Sequence, residues 1–226
     1  MPKEFIDVII LLDKSGSMVG LTNDTIGGFN SLIEQQKREN ENKDVFVTTY
    51  LFNNEISTLF YSKRISQIRP LTRKEYVATG STALFDAIGY AIKKEEKKVM
   101  RLKLNHKAVP SKTLYVITTD GYENSSRNFR TLDSIRKLIQ QKKKEGDCFV
   151  FIGADIDSDN FAEKLGIGLE YAFNVSRSSI GVKDMMRNVS CCLVDMNHFD
   201  YDERIRNRSY LRRYDMPNNS HQNKRT

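Results

Sequence analysis

The sequence predicts an α/β fold of the Rossmann-like, doubly wound kind: a mainly parallel central sheet with one antiparallel edge strand and helices on both faces. Three observations carry this. Residues 8–12, 113–119 and 148–152 are short, β-rich apolar runs with little polar alternation, the pattern of strands covered on both sides. Each is followed by a segment whose apolar residues recur at helical spacing, so strands and helices alternate along the chain. The first two runs also end in an acid, Asp13 and Asp120, placed where open α/β sheets bind their ligands.

Taken in order, the first run follows Lys3, Glu4 and Asp7 and is too short for a membrane-spanning helix. No small-residue cleavage site follows it, so it reads as a strand and not as a signal peptide. Beyond the Ser15-Gly16-Ser17 turn, Ile26, Phe29, Leu32 and Ile33 predict a helix that ends in the charged stretch 35–43. Residues 45–52 are the second strand. Asn53-Asn54 ahead of 56–61 signals a hairpin through residues that tolerate positive φ, which supplies the antiparallel edge. Residues 62–80 contain Pro70 and predict a short helix at most.

From Ala83 a long amphipathic helix begins, with Leu84, Ile88, Ala91 and Ile92 facing inward and the Lys/Glu-rich stretch 93–98 facing water. It fades near 101–107, and Pro110 closes the connection to the strand at 113–119. Leu132, Ile135, Leu138 and Ile139 mark the next helix, with Gly146 as its left-handed cap. The strand at 148–152 follows, then a short helix marked by Phe161, Ala162 and Leu165, a strand at 171–175 and a last helix at about 182–197. Residues 217–226 read as disordered.

Size and composition fit one domain with an appendage. A hydrophobic content of 39% without a stretch near the ~20 apolar residues of a span excludes a transmembrane helix and predicts a soluble chain. Cys148, Cys191 and Cys192 are odd in number and lack metal-ligand spacing, which favours a reducing, cytoplasmic compartment. The net charge of +7 is uneven: residues 204–226 hold seven basic residues against Asp215 alone, leaving the body close to neutral. The basicity therefore says little about the main domain.

Three loops carry oxygen donors: Asp13, Ser15 and Ser17 in the first, Thr82 with Thr79 nearby in the second, and Asp120 in the third. Alternation in Asp13-x-Ser15-x-Ser17 lets three side chains converge on one point. Two carboxylates and several hydroxyls, without His or Cys, make a hard site suited to Mg²⁺ or Mn²⁺. Neutral hydroxyls leave such an ion under-neutralised, so an open position would attract an Asp or Glu of a partner.

On these residues the chain closely resembles the von Willebrand factor type A domain, whose metal-ion-dependent adhesion site has the pattern Asp-x-Ser-x-Ser, then Thr, then Asp. Asp13, Ser15 and Ser17 match the first motif, Thr82 the threonine and Asp120 the second aspartate. The resemblance implies that Ser15, Ser17 and Thr82 contact Mg²⁺ through their hydroxyls, with Asp13 and Asp120 binding directly or through water. It implies a protein partner rather than an enzymatic reaction. Residues 82–88 and 151–154 are most similar to bacterial cytoplasmic members, and Lys14 and Met18 are expected at the mouth of the site. The domain is assigned residues 1–199, and residues 200–226 form a basic tail to which nothing of the family transfers.

Competing readings are weighed on residues. Asp155, Asp157 and Asp159 lack the Gly and Glu of a calcium loop and are expected to cap and solvate a helix. Asp86 fits a first-turn acid facing the helix dipole. Glu123 and Asn124 read as a solvated rim, and His106, His198 and His221 as surface residues. A metal-dependent phosphoryl-transfer enzyme ranks second, because Asp13 ends a strand. It lacks the second acid two residues on, where Ser15 stands, and no P-loop occurs. Nucleic-acid binding through Arg204–Arg213, with Tyr201, Tyr210 and Tyr214 interleaved, ranks third. Oligomeric state is not legible.

Overall fold

A computed structural model of the protein describes residues 5–39, 44–154 and 157–175. The elements are β1 (Phe5–Asp13), α1 (Thr22–Glu39), β2 (Val45–Phe52), β3 (Ile56–Arg64), α2 (Leu84–Leu104), β4 (Pro110–Thr119), α3 (Leu132–Lys144), β5 (Cys148–Ala154), α4 (Ser158–Leu165) and β6 (Ala172–Val175). Short 3₁₀ turns at Gly16–Leu21, Ile65–Gln67 and Leu169–Tyr171 complete the path. The expected last helix, the basic tail, Asp155 and Cys191-Cys192 lie outside the described residues.

The strands form one sheet in the order β3-β2-β1-β4-β5-β6. Every pairing is parallel except β2 with β3, which is antiparallel, as the hairpin signal predicts. Strand order reverses between β1, which leads to β2 on one side, and β4 on the other. That reversal opens a crevice at the strands' carboxyl ends. Asp13 is the last residue of β1 and Asp120 follows the last residue of β4, so both acids sit at its lip.

Alternation along β1 separates two cores. Val8, Ile10 and Leu12 pack with Phe29, Leu32 and Ile33 of α1, while Ile9 and Leu11 pack with Leu84, Ile88 and Ile92 of α2 and Ile135 and Ile139 of α3. Both faces of the sheet are therefore dry, which is why its strands are apolar runs. Helix ends follow local rules: Thr131 caps α3 through its side chain, Asp157 caps α4, and Gly146 and Gly166 take left-handed φ after their helices. The capping role expected for Asp157 is thus observed.

Three local expectations are corrected. Pro110 is the first residue of β4 rather than part of the connection, a position where the missing N–H costs no ladder bond. Asn53 does not use positive φ. Its side chain accepts from Glu55 N at 2.9 Å, closing the hairpin by an Asx-type turn, and the left-handed residue is Ser62 at φ 44 further along β3. Residues 65–80 form one short 3₁₀ turn and an irregular segment with buried Tyr76, in line with the expectation of a short helix at most. Finally, Glu95 and Lys98 do not face water: they are 5% exposed each and meet Asp7, which is 0% exposed. Lys98 Nζ pairs with Asp7 Oδ2, and with Glu95 Oε2 at 2.9 Å. No helix among the described residues is long and apolar enough to cross a membrane.

Candidate metal centre

The three loops meet at the carboxyl end of the sheet, and the geometry can be followed from Asp13 outward. Asp13 Oδ1 accepts from Ser15 N at 2.7 Å, the bond that turns the chain sharply after β1. Ser15 Oγ and Ser17 Oγ lie 3.1 Å apart, and Ser17 Oγ donates to Asp120 Oδ1 at 2.6 Å. Thr82 closes the ring: a methyl built on Gly121 would lie 3.4 Å from Thr82 Oγ1 and 3.7 Å from Ser17 Oγ. All five expected donors are brought together. Asp13, Ser15, Thr82 and Asp120 are buried, whereas Ser17 faces the surface.

The donors are held by groups that the sequence did not single out. Thr119 Oγ1 donates to Asp13 Oδ2 at 2.5 Å, and the hydroxyl of buried Tyr76 donates to the Asp13 carbonyl. Thr79 contributes backbone rather than a hydroxyl, its N–H donating to Lys14 O at 2.7 Å and its carbonyl accepting from Asn53 Nδ2 at 2.7 Å. Gly80 has φ +80, and a Cβ there would stand 2.3 Å from Asn54 Oδ1, so only glycine fits beside the hairpin. Its carbonyl accepts from Gly16 N at 2.9 Å, tying the second loop to the first.

The third loop is clasped to the start of α2. Glu123 accepts from Phe85 N at 2.8 Å, Ser126 Oγ from Asp86 N at 2.9 Å, and Asn124 Oδ1 from Thr82 N at 2.8 Å. In return Asp86 accepts from the backbone of Arg127, Asn128 and Phe129 at 2.7 to 2.9 Å. Asn124 is exposed, as expected of a rim, whereas Glu123 is half-buried and caps α2, whose N-cap residue Ala83 offers no side-chain cap. Met18, expected at the mouth, is 1% exposed and packs with Leu21 and Ala154; Val19 and Tyr122 are the exposed apolar residues beside the site.

Electrostatically the centre is a cluster of oxygen atoms around two carboxylates. Burial pushes the Asp13 carboxyl up to about 6, against the opposing pull of the Thr119 and Ser15 hydrogen bonds. Asp120 Oδ2 is buried with no hydrogen-bond partner. Among the described residues no group of three or more His, Cys, Asp or Glu side chains could hold a metal. A cation here would thus depend on two carboxylates and three hydroxyls. That all-oxygen set, with one buried oxygen left unsatisfied, fits a hard divalent ion.

Comparison with known proteins places the fold. Among curated protein sequences nothing matches the chain significantly. In solved structures it is similar to the von Willebrand factor domain of a type V pili tip protein from Porphyromonas gingivalis, at TM-score 0.60 and 10% identity, covering 88% of this chain and 99% of that one. It is similar to the manganese-loaded TRAP protein of Plasmodium vivax, at TM-score 0.55 and 15% identity over 84% of this chain and 73% of that one. It is also similar to proximal thread matrix protein 1 of the mussel byssus with a zinc-occupied MIDAS motif, at TM-score 0.54 and 18% identity over 85% of this chain. The chain spans 46% of the mussel protein's length. At these identities the likeness concerns the fold. The model of the von Willebrand factor type A domain matches residues 7–188, and the chain belongs to that family.

Proposed function

We propose that the protein is a Mg²⁺-dependent binding module that captures an acidic residue of a partner protein. Domains of this family bind proteins in a metal-dependent way, and relatives in the fold include pilus and adhesion proteins. The observation that carries the reading is the convergence of Asp13, Ser15, Ser17, Thr82 and Asp120 with Asp120 Oδ2 unsatisfied. Ser15, Ser17 and Thr82 would hold the ion by their hydroxyls, and Asp13 and Asp120 directly or through water. The bound ion supplies positive charge with a position free for a carboxylate; Mn²⁺ offers the same chemistry.

We read the module as non-enzymatic. The polar groups beside the donors, Thr119, Tyr76 and Asn124, are all engaged in holding donors or backbone and stand in no relation of base to nucleophile. Its cysteine usage, including a buried free Cys148, supports a cytoplasmic setting. The test is affinity capture from native lysate with the wild type and Asp13→Ala, each with and without EDTA. Partners retained by the wild type in Mg²⁺ should vanish in both controls. Capture that persists in EDTA and in the variant overturns the proposal.

A further inference from the structure

The opposite pole of the sheet carries a second feature. The first residues of β1 and β2, the last of β3, the closing turns of α2 and the residues just after it line an open groove of about 400 Å³. Eight residue steps along β1 separate it from Asp13, about 26 Å at strand spacing. The volume lies within the ~300–1,000 Å³ of small-molecule sites.

Its walls combine two chemistries. Phe5, Phe46 and Leu102 supply apolar surface, and Arg101 and Lys107 supply positive charge. The one carboxylate among the described lining residues, Asp44, is paired with Arg64, whose guanidinium also lies 5.3 Å from the Phe46 ring centre, so Arg64 serves as wall. Lys98 is buried and its charge is met by Asp7 and Glu95, so it too serves as wall. Arg101 and Lys107 are exposed, and no carboxylate pairs with either among the described residues. Together they outweigh the negative end of the α2 dipole, a partial charge only. Uncompensated cations beside aromatic and aliphatic surface, on a body close to neutral, are complementary to a molecule with an anionic head and an apolar body.

We propose that this groove binds a small amphipathic carboxylate, with its head between Arg101 and Lys107 and its apolar body against Phe5, Phe46 and Leu102. It is independent of the metal centre.

Decanoate is the probe, titrated calorimetrically and by amide-resolved NMR with EDTA present throughout, so that carboxylate capture by a metal ion is excluded. Binding is expected with shifts at Phe46, Ser62 and Ala108. Decanol should bind about tenfold or more weaker, as should the double variant Arg101→Glu/Lys107→Glu, the effect of losing a charge-assisted bond. Ala108→Trp, which fills the groove, should block binding. Both charge reversals are at exposed positions, and matched thermal melts would establish that the variants are folded. Absence of decanoate binding, equal affinity for decanol, equal affinity in the double variant, or shifts confined to the Ser15, Thr82 and Asp120 loops would each overturn the proposal.

Discussion

Asp7 and Asp13 stand on one strand, on the same face by alternation, and both are 0% exposed, yet they are solved differently. Asp7 has a resident cation: Lys98 reaches it from α2 and bridges to Glu95. Asp13 has only neutral donors, Ser15 N and Thr119 Oγ1, and burial raises its carboxyl to about 6. Among the described residues, a cationic side chain meets the carboxylate where the strand begins and none does where it ends. A buried carboxylate without a cation is costly, so the contrast supports the proposed binding of an ion at the Asp13 pole.

The largest test of that contrast removes the resident cation. Lys98→Met leaves Asp7 and Glu95 buried together without a counter-charge and should cost about 3–5 kcal/mol of stability in urea titration. A loss below about 1 kcal/mol would mean that Asp7 does not depend on Lys98, and the contrast would collapse.

Next comes the external cation. Mg²⁺ at about 100 times its dissociation constant should raise stability by about 2.7 kcal/mol in the wild type. Asp13→Asn should abolish this increment while leaving the metal-free protein at least as stable above pH 6, because an uncompensated carboxylate has been replaced by a neutral amide. A metal increment surviving in Asp13→Asn would assign the cation elsewhere.

A third experiment separates the poles by pH. Burial, then repulsion from Asp7, push Glu95 up to about 7, against the pull of Lys98. Tyr50 and Tyr115 also border this cluster. A carboxyl raised in the folded state contributes stability that is complete below its unfolded value of 4.5 and is lost as pH rises through about 7. In the Asp13→Asn background, stability should therefore fall between about pH 4.5 and 7 with a slope of at most about 1.4 kcal/mol per pH unit and level off above. Glu95→Gln should flatten this profile; an unchanged profile would assign the titration to another group.

The smallest effect concerns the support of Asp13. Tyr76→Phe removes the hydrogen bond to the Asp13 carbonyl and the one with Thr25 and should cost about 1–3 kcal/mol, with Mg²⁺ binding retained but weakened. A Mg²⁺ affinity equal to the wild type's would show that Tyr76 stabilises the fold without orienting the site.

The same contrast explains what the sequence disclosed. Strands buried on both faces read as apolar runs, so β1, β2, β4 and β5 were legible, and the five donors were legible because each sits in a short loop of fixed spacing. Asp7, Glu95 and Lys98 were misplaced because residue type overrode position: Glu95 and Lys98 continue the inward spacing of Ile88, Ala91 and Ile92, but their charge suggested water. Thr119, Tyr76, Asn53 and the Glu123–Asp86 clasp were not legible because they act on partners tens of residues away, often through backbone atoms. Only tertiary structure brings such pairs together.

The clasp has a mechanical consequence. Through Glu123, Ser126, Asn124 and Asp86 the Asp120 loop is stitched to the first turn of α2, and Phe129 lies so close over Gly89 that a Cβ there would stand 2.3 Å from its ring. The helix is a rod of 21 residues, about 31 Å long, and Lys98 anchors its later turns to the start of β1. Tension applied at Asp120 by a tethered partner would thus run lengthwise along a stiff strut and into the middle of the sheet, instead of being dissipated by a bending loop.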